Sequence, residues 1–566
     1  MLRAGHRVDP VCPKTTTHGS ASSRPTDGPK ADGDLPGNLP AMTQRILVAA
    51  VTGLILTLSF EPVGFAWFAP LGVAGYIWVS RGRRSWLPGL IFGIAFSYVH
   101  ISWMAASVGV AAWAALAGGL AIFHALFAVV MGRVQTLPLW PLWAAATWVS
   151  LELVRGSWPF SGMPWGRVAY ATVDTPTSSM VAYLGVTGTG FLIALFSALL
   201  VGVVQRPTVI GGAGRPTANK ANAIGLLGVV ASFVAAAAWP WTNPVSGQVQ
   251  VAVVQGNVPG EGTNLGDYAV EVTQNHSRAT IQLAEDVAAG RAVQPDFVLW
   301  PENSTVADPL TDTDTRAAVE AAARAIGVPI VVGAMVKQGD DVLLNQGVVW
   351  DPETGPGDRY TKHHPVPFGE YIPRLEPLHG WFSQANFGGL DQIGRDMAGG
   401  SRNTPLTVAG VELADAICFD IAYDDVIVPQ VANGANLAAV QTSNAIFIKT
   451  HQVDQQFEIT RVRAVESGRT LLVAATNGVT GIIGADGSVQ AQVPIRTTAV
   501  INETVDLRDG LTPAVAMGRW PGVVMLALTV TTMVVTLLRG RPSPSTGTAM
   551  TEPGAPPEEE KDNRNA

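Results

Sequence analysis

Charge and cysteine are what this 566-residue chain has little of. Only 14% of its residues are charged while 48% are hydrophobic, where an ordinary soluble domain carries roughly a quarter charged residues. A chain this long and this apolar is expected to have a membrane component. Lysine and arginine number 36 against 44 aspartates and glutamates, a net charge of -8 with no basic surplus, which argues against a nucleic-acid partner. The two cysteines, Cys12 and Cys418, lie on opposite sides of several apolar runs. A disulfide between them is not expected, and Cys418 reads as a free thiol. There is no H-E-x-x-H spacing, His363 and His364 are adjacent, and no G-x-S-x-G elbow occurs. Metal hydrolysis and a serine elbow are therefore set aside, and no metal or cofactor is expected.

What is present is a series of apolar runs, at about 46–60, 63–80, 86–105, 112–132, 138–154, 181–204, 223–241 and 518–538. Several approach the roughly 20 residues that a helix needs to cross a bilayer. The expectation is a membrane domain of seven spans over 44–241 and an eighth span at 518–538. The flanking tails, 1–43 and 541–566, are rich in Pro, Ser, Thr and charge and read as disordered. Met42, directly before the first run, is an alternative translation start. A signal peptide is the rival reading of that run, but no small-x-small site follows it. Arg45, Arg81, Arg83, Arg84, Arg133, Arg206, Arg215, Lys220, Arg539 and Arg541 all fall on one side if both termini are cytoplasmic. The basic-residue bias then puts the segment between the seventh and eighth runs outside the cell. Of 16 tryptophans, all but Trp300, Trp350 and Trp381 lie in the runs or their flanks, as an interfacial belt requires. Glu152 and Arg155, at helical spacing, read as an ion pair near the outer interface. His100 and His124 are isolated and read as packed.

The segment 247–506 alternates strand and helix patterns and is expected to form an exported α/β domain. Strand-like runs fall at 249–255, 297–300, 329–333, 342–350, 406–418, 437–442, 470–484 and 498–505. Helical patterns fall at 268–289, 315–326, 422–433 and 451–467. Reactive residues sit at strand ends. Glu302 follows Trp300-Pro301; Lys362 precedes the rigid turn Pro365-Val366-Pro367-Phe368-Gly369, and Glu370 closes it. Cys418 ends a buried run and faces a helix expected from Ile421 to Ala432, a setting that favours the thiolate. Taken singly, each has a plain reading: a small buried hydrophobe, a cap and a solvated surface charge. Together, a base, a cation and a thiol supply the complementary parts of acyl chemistry.

Trp300-Pro301-Glu302, Lys362 with Pro367-Phe368-Gly369-Glu370, and Cys418, in that order, resemble the Glu-Lys-Cys triad of the nitrilase (carbon-nitrogen hydrolase) superfamily. Such a domain between the last two of eight spans resembles the apolipoprotein N-acyltransferase family, over about residues 44–540. Gly162-Met163-Pro164-Trp165, Val254-Gln255-Gly256-Asn257, Thr442-Ser443-Asn444 and Arg463-Ala464-Val465-Glu466-Ser467-Gly468-Arg469 add to the likeness, and Asn345 matches a family asparagine near the site. Many members have Cys-Tyr-Glu where this chain has Cys418-Phe419-Asp420, a departure that leaves the triad intact.

The resemblance implies a fold and a reaction. The fold is a polytopic α-helical membrane domain with an exported α-β-β-α nitrilase-like sandwich. The reaction passes a fatty acyl chain from a phospholipid, through a Cys418 thioester, to the α-amine of the diacylglyceryl-cysteine at a lipoprotein N terminus. Glu302 would be the base, Lys362 the oxyanion partner, and Glu370 the residue orienting Lys362. Some actinobacterial members carry or bind a polyprenyl-phosphate mannose synthase at the C-terminal end. None is fused here, which leaves it as a separate partner at most. The run 380–402, with Trp381, Phe382 and Phe387, reads as a loop with an apolar tip that gates lipid entry. Two other classes remain open. A membrane-tethered amidase acting on a soluble substrate would use the same triad; a transporter or receptor would explain the spans but not the three reactive residues.

Overall fold

The computed structural model describes residues 42–82, 84–204, 216–339, 342–371, 373 and 396–539. Both expected tails, apart from Met42 and Thr43, and most of the 380–402 run lie outside the described residues.

The first half is helical: α1 (Met42–Thr57), α2 (Phe68–Val79), α3 (Trp86–His100), α4 (Trp103–Ser107), α5 (Val110–Val134), α6 (Trp140–Ser157), α7 (Met180–Val204) and α8 (Pro216–Ala238). Among the described residues, α5, α7, the Asn219–Ala238 part of α8 and a last helix, Trp520–Arg539, are long and apolar enough to cross a membrane; α1, α2 and α3 are shorter and apolar. Small residues let these helices approach closely. A Cβ at Gly53 would lie 2.7 Å from the Phe92 carbonyl, and one at Gly89 would lie 2.4 Å from Ala128 Cβ.

The expected Glu152–Arg155 ion pair does not form as such. Glu152 Oε1 accepts from Trp148 Nε1 (3.0 Å) and from the Val168 amide (2.9 Å). Arg155 turns instead to the loop that follows, donating to the carbonyls of Met163 (3.2 Å), Trp165 (2.6 Å) and Gly166 (2.8 Å). The reason is local: α6 ends at Ser157, and the irregular Gly162–Gly166 segment offers carbonyls that a helix would have paired internally. His124 is packed as expected, its Nδ1 3.0 Å from the Leu120 carbonyl. Helix α7 breaks at Gly185 (φ 69°, ψ 179°), and the amide of Val186 just beyond the break donates to Glu466 Oε1 at 2.8 Å.

The second half is two stacked sheets. One runs β13-β1-β2-β3-β4-β5, with β6 beside β4; the other runs β12-β11-β10-β9-β8-β7. The strands are β1 (Val245–Gln255), β2 (Phe297–Leu299), β3 (Ile330–Gln338), β4 (Val342–Asp351), β5 (Gly355–Thr361), β6 (Asp396–Met397), β7 (Leu406–Val408), β8 (Val411–Ile417), β9 (Leu437–Thr442), β10 (Leu471–Ala475), β11 (Thr480–Ile483), β12 (Val489–Val493) and β13 (Ala499–Arg508). The central pairs β1–β2, β2–β3, β8–β9 and β9–β10 are parallel. Such strands are buried on both faces and read as unbroken apolar runs. In β1, Val251 and Val253 pack inward with the second sheet, while Ala252 and Val254 pack outward with Leu283 of helix α9 (Ala269–Ala288) and Val319 of α10 (Thr313–Ile326). Helices α11 (Ile427–Ala432) and α12 (Gln452–Ser467) pack with the other sheet. This is the expected α-β-β-α layering.

Three expectations are corrected. The 406–418 run is a hairpin, β7 and β8, because Ala409 and Gly410 both adopt positive φ (48° and 79°). The 470–484 run is likewise two antiparallel strands, β10 and β11. The helix expected from Ile421 starts only at Ile427, after a 3-10 turn, Cys418–Ala422.

Candidate active site

Three strand ends converge. Beyond β2, Trp300 is anchored by its indole N–H to Thr280 Oγ1 (2.9 Å), and its carbonyl accepts from Gln441 Nε2 (2.6 Å). Glu302, two residues on, is 3% exposed. Its Oε1 accepts from Asn345 Nδ2 of β4 (2.8 Å) and lies 3.4 Å from Lys362 Nζ; its Oε2 accepts from the Ser443 amide (2.8 Å). The carboxylate is thus fixed in place and hydrogen-bonded on both oxygens.

Lys362, just past β5 and 1% exposed, lies 2.6 Å from Glu370 Oε1. The turn between them is closed on itself: Glu370 Oε2 accepts from the Val366 amide (2.8 Å) and the Glu370 amide donates to the Val366 carbonyl (2.8 Å). Burial would lower the Lys362 pKa, but Glu370 and then Glu302 override it and hold the ammonium well above its usual value. Asp420 braces the same turn from below, accepting from Tyr360 Oη (2.9 Å) and from the amides of His363 (2.9 Å) and His364 (2.8 Å). Short as it is, the Asp420 side chain reaches all three donors.

Cys418 follows β8 with φ 55°, a left-handed backbone that turns the side chain out of the strand line. Its thiol lies close to Thr442 and in the field of Glu302, Lys362 and Glu370. Thr442 Oγ1 in turn accepts from Gln456 Nε2 (3.1 Å). Burial, and then Glu302, push the thiol above its ordinary range, with Lys362 opposing. The expected thiolate at a helix N-terminus is therefore corrected. No α-helix begins at Cys418, and the resting group is a thiol that must lose its proton as it attacks. Phe419 stacks on Trp165 of the helical half, with ring centroids 5.1 Å apart and planes 4° from parallel.

All seven residues singled out from the sequence, Glu302, Lys362, Cys418, Glu370, Asp420, Phe419 and Asn345, fall in this one neighbourhood. Sequence reasoning missed what Thr442, Ser443 and Gln441 do here. Their motif was visible, but their reach depends on the parallel register of β8 and β9, in which Ile417 faces Gln441. Asp424 was missed too. It accepts from Arg167 Nη1 (2.7 Å) and Arg463 Nη2 (2.8 Å), tying the helical half to the sandwich beside the site.

Comparison with known proteins gives the same picture. Residues 52–199 match the family model for the apolipoprotein N-acyltransferase N-terminal domain, and residues 250–510 match that for carbon-nitrogen hydrolase. Among curated proteins, the apolipoprotein N-acyltransferase of Mycolicibacterium smegmatis is 33% identical over 506 residues, covering 86% of this chain and 83% of that one. Those of Methylococcus capsulatus (29% over 510 residues, covering 86% and 94%) and Photobacterium profundum (26% over 508 residues, covering 84% and 92%) match over similar lengths. A carbon-nitrogen hydrolase sandwich joined to apolar helices, with a relative above 30% identity across both, makes this chain a member of the apolipoprotein N-acyltransferase family.

Proposed function

We propose that the protein moves an acyl chain from a phospholipid to the α-amine of a diacylglyceryl-cysteine at a lipoprotein N terminus, in two steps through Cys418. The observation that carries this is the buried Lys362 ammonium, held between Glu302 and Glu370 beside a protonated thiol. In the first step Glu302 removes the thiol proton as sulfur attacks the ester carbon. The S–C bond forms, the glycerol C–O bond breaks, and the proton passes from Glu302 to the leaving oxygen. Lys362, with backbone N–H groups past the cysteine, stabilises the oxyanion. In the second step the amine attacks the thioester, the N–C bond forms, the S–C bond breaks, and Glu302 takes the amine proton and hands it to the leaving sulfur, restoring the thiol. Glu370 orients Lys362, and Asn345 orients Glu302.

Both substrates are lipids, and drawing an acyl chain into water costs about 0.8 kcal/mol per CH₂, so the site must open to a bilayer. Four long apolar helices and three shorter ones support a membrane domain over 44–241 and a final span near 518–538; the reading of eight spans rests on the apolar runs of the sequence. The basic-residue bias favours cytoplasmic termini and a catalytic domain, 247–506, on the outer side. The test is mass spectrometry of the purified protein after incubation with phospholipid. One acyl chain should appear on Cys418 and leave on addition of a diacylglyceryl-cysteine peptide. A chain persisting in Cys418→Ser as a hydroxylamine-labile thioester would refute the assignment.

A further inference from the structure

Between the α1–α2 loop, the 165–175 segment and α12 lies a cavity of about 240 Å³. Trp165 forms part of its wall and stacks on Phe419, the residue that follows the reacting cysteine. Gln455, also in the wall, accepts from the indole N–H groups of Trp165 (2.7 Å) and Trp103 (3.0 Å) and donates to the Glu61 carbonyl (2.8 Å). The wall is therefore built and rigid.

Its charge is one-sided. Glu61, Asp174 and Glu458 line the cavity, and Asp454 adds a fourth carboxylate close enough to act on Glu61. Against them stands Arg461, which is already engaged with Asp174 (2.6 Å), Glu458 (2.9 Å) and the Gly487 carbonyl (2.9 Å). Burial, opposed by Arg461 and reinforced by Asp174 and Glu61, pushes Glu458 up to about 7. A second feature is independent of the acids. His100 is 3% exposed and lines the cavity, yet neither of its ring nitrogens has a hydrogen-bond partner. A neutral imidazole has one nitrogen able to accept, so a donor entering the cavity would find it unoccupied. Phe60 supplies an aromatic wall of the kind that attracts cations, while the Tyr170 ring already holds Arg167 and Arg463.

We propose that this cavity is a subsite for a cationic side chain, lysine or arginine, carried by the acceptor lipoprotein close after its N-terminal cysteine. The proposal rests on the acyltransferase reading and adds to it a preference among acceptors. A zwitterionic lipid headgroup fits less well, since its phosphate would enter among the same carboxylates and Arg461 has no free face to offer it. A basic side chain brings the cation alone.

The experiment uses the full-length protein in lipid nanodiscs, first loaded with acyl chain so that only the second step is read. Acceptors are synthetic diacylglyceryl-cysteine peptides identical except for Lys, Ser or Glu at one of the following positions. A lysine peptide should exceed its serine counterpart in kcat/KM by about tenfold, as close charge pairs do. The glutamate peptide should fall below both, and salt should narrow the gap. The preference should also grow as pH rises through 7 and Glu458 ionises beside Arg461, Asp174 and Glu61, the last of these itself facing Asp454 and His451. In Glu61→Gln/Glu458→Gln the three peptides should converge, with thioester formation from phospholipid unchanged. Equal rates for the three peptides in the parent protein would overturn the proposal, as would a preference that survives the double substitution. So would a double variant that alters the choice between ethanolamine and glycerol headgroups while keeping the peptide ranking. If the double variant does not fold, the salt and pH dependence of the parent decides, and a lysine preference indifferent to both overturns the subsite. Failure of the parent to load acyl chain overturns both readings and is seen before any peptide is added.

Discussion

Replacing Lys362 with methionine keeps nearly all of the side-chain volume and removes only the charge. In the parent the ammonium is 1% exposed, 2.6 Å from Glu370 and 3.4 Å from Glu302. Its loss strands two carboxylates, and breaking one buried pair from one side costs about 3–5 kcal/mol. Glu302 keeps its bonds from Asn345 and Ser443, and the Glu370 side chain is 16% exposed and keeps the Val366 amide. The lower end, about 3 kcal/mol, is therefore expected. Adding Glu370→Gln removes one stranded charge, so the double variant should be more stable than Lys362→Met alone. Thioester formation should fall about 10²–10³-fold in both, the usual loss when an oxyanion partner goes. Denaturant midpoints in detergent give the stabilities, and acyl loading timed by mass spectrometry gives the rate. Lys362→Met with an unmoved midpoint, or with loading within threefold of the parent, would refute both the electrostatic account and the role of the lysine. A double variant less stable than the single would refute the stranded-charge reasoning on its own.

Asp415 is fully buried with neither carboxyl oxygen partnered, and burial pushes its pKa well above the carboxylate range. Asp415→Asn should therefore be tolerated, and Asp415→Ala strands no hydrogen-bond partner and should not incur the penalty of about 1–3 kcal/mol for an orphaned polar group; a protonated-carboxyl infrared band that vanishes in Asp415→Asn would report the neutral acid, and its absence from the parent would refute it. For Asp424, burial raises the pKa, but Arg167 and then Arg463 prevail and hold it well below the ordinary carboxylate range. A depressed carboxyl gives stability that is present above about 3.9 and lost as pH falls through the folded-state value. The link between the halves should thus survive at pH 4 in the parent, whereas Asp424→Asn should loosen it at neutral pH, modestly because the side chain is 41% exposed; hydrogen exchange over the 165–172 segment reads both. Trp165→Phe keeps a ring against Phe419 but loses the Gln455 bond of 2.7 Å, and should cost about 1 kcal/mol; unaltered thermal stability would show that bond to be idle.

The reactive residues were legible because each stands at the end of an apolar run, where chain order alone exposes it. Glu302 follows β2, Lys362 follows β5 and Cys418 follows β8. What eluded sequence reasoning depends on pairing between distant segments. Whether Ser443 donates to Glu302 is decided by the arrangement of two sheets, and no local pattern records it. The hairpin at Ala409-Gly410 was readable in principle from its glycine, but the apolar residues on both sides masked it as one strand. The helix assigned to Ile421 failed for a different reason. Its apolar residues belong to a 3-10 turn buried under Arg463, whose guanidinium takes up the Ile421 and Ala422 carbonyls (both 2.9 Å). At Arg155, spacing suggested Glu152 as the partner, but the guanidinium goes to three loop carbonyls that no local pattern placed within its reach.

The broken turn of α7 carries a consequence for biogenesis. The Val186 amide, left open by the break at Gly185, finds its acceptor 280 residues later in the chain, on a helix of the other half. Until that carboxylate has been synthesised and delivered, the interrupted helix holds an unanswered donor among apolar neighbours. The helical portion can therefore be inserted early but reaches its final shape only after most of the sandwich exists.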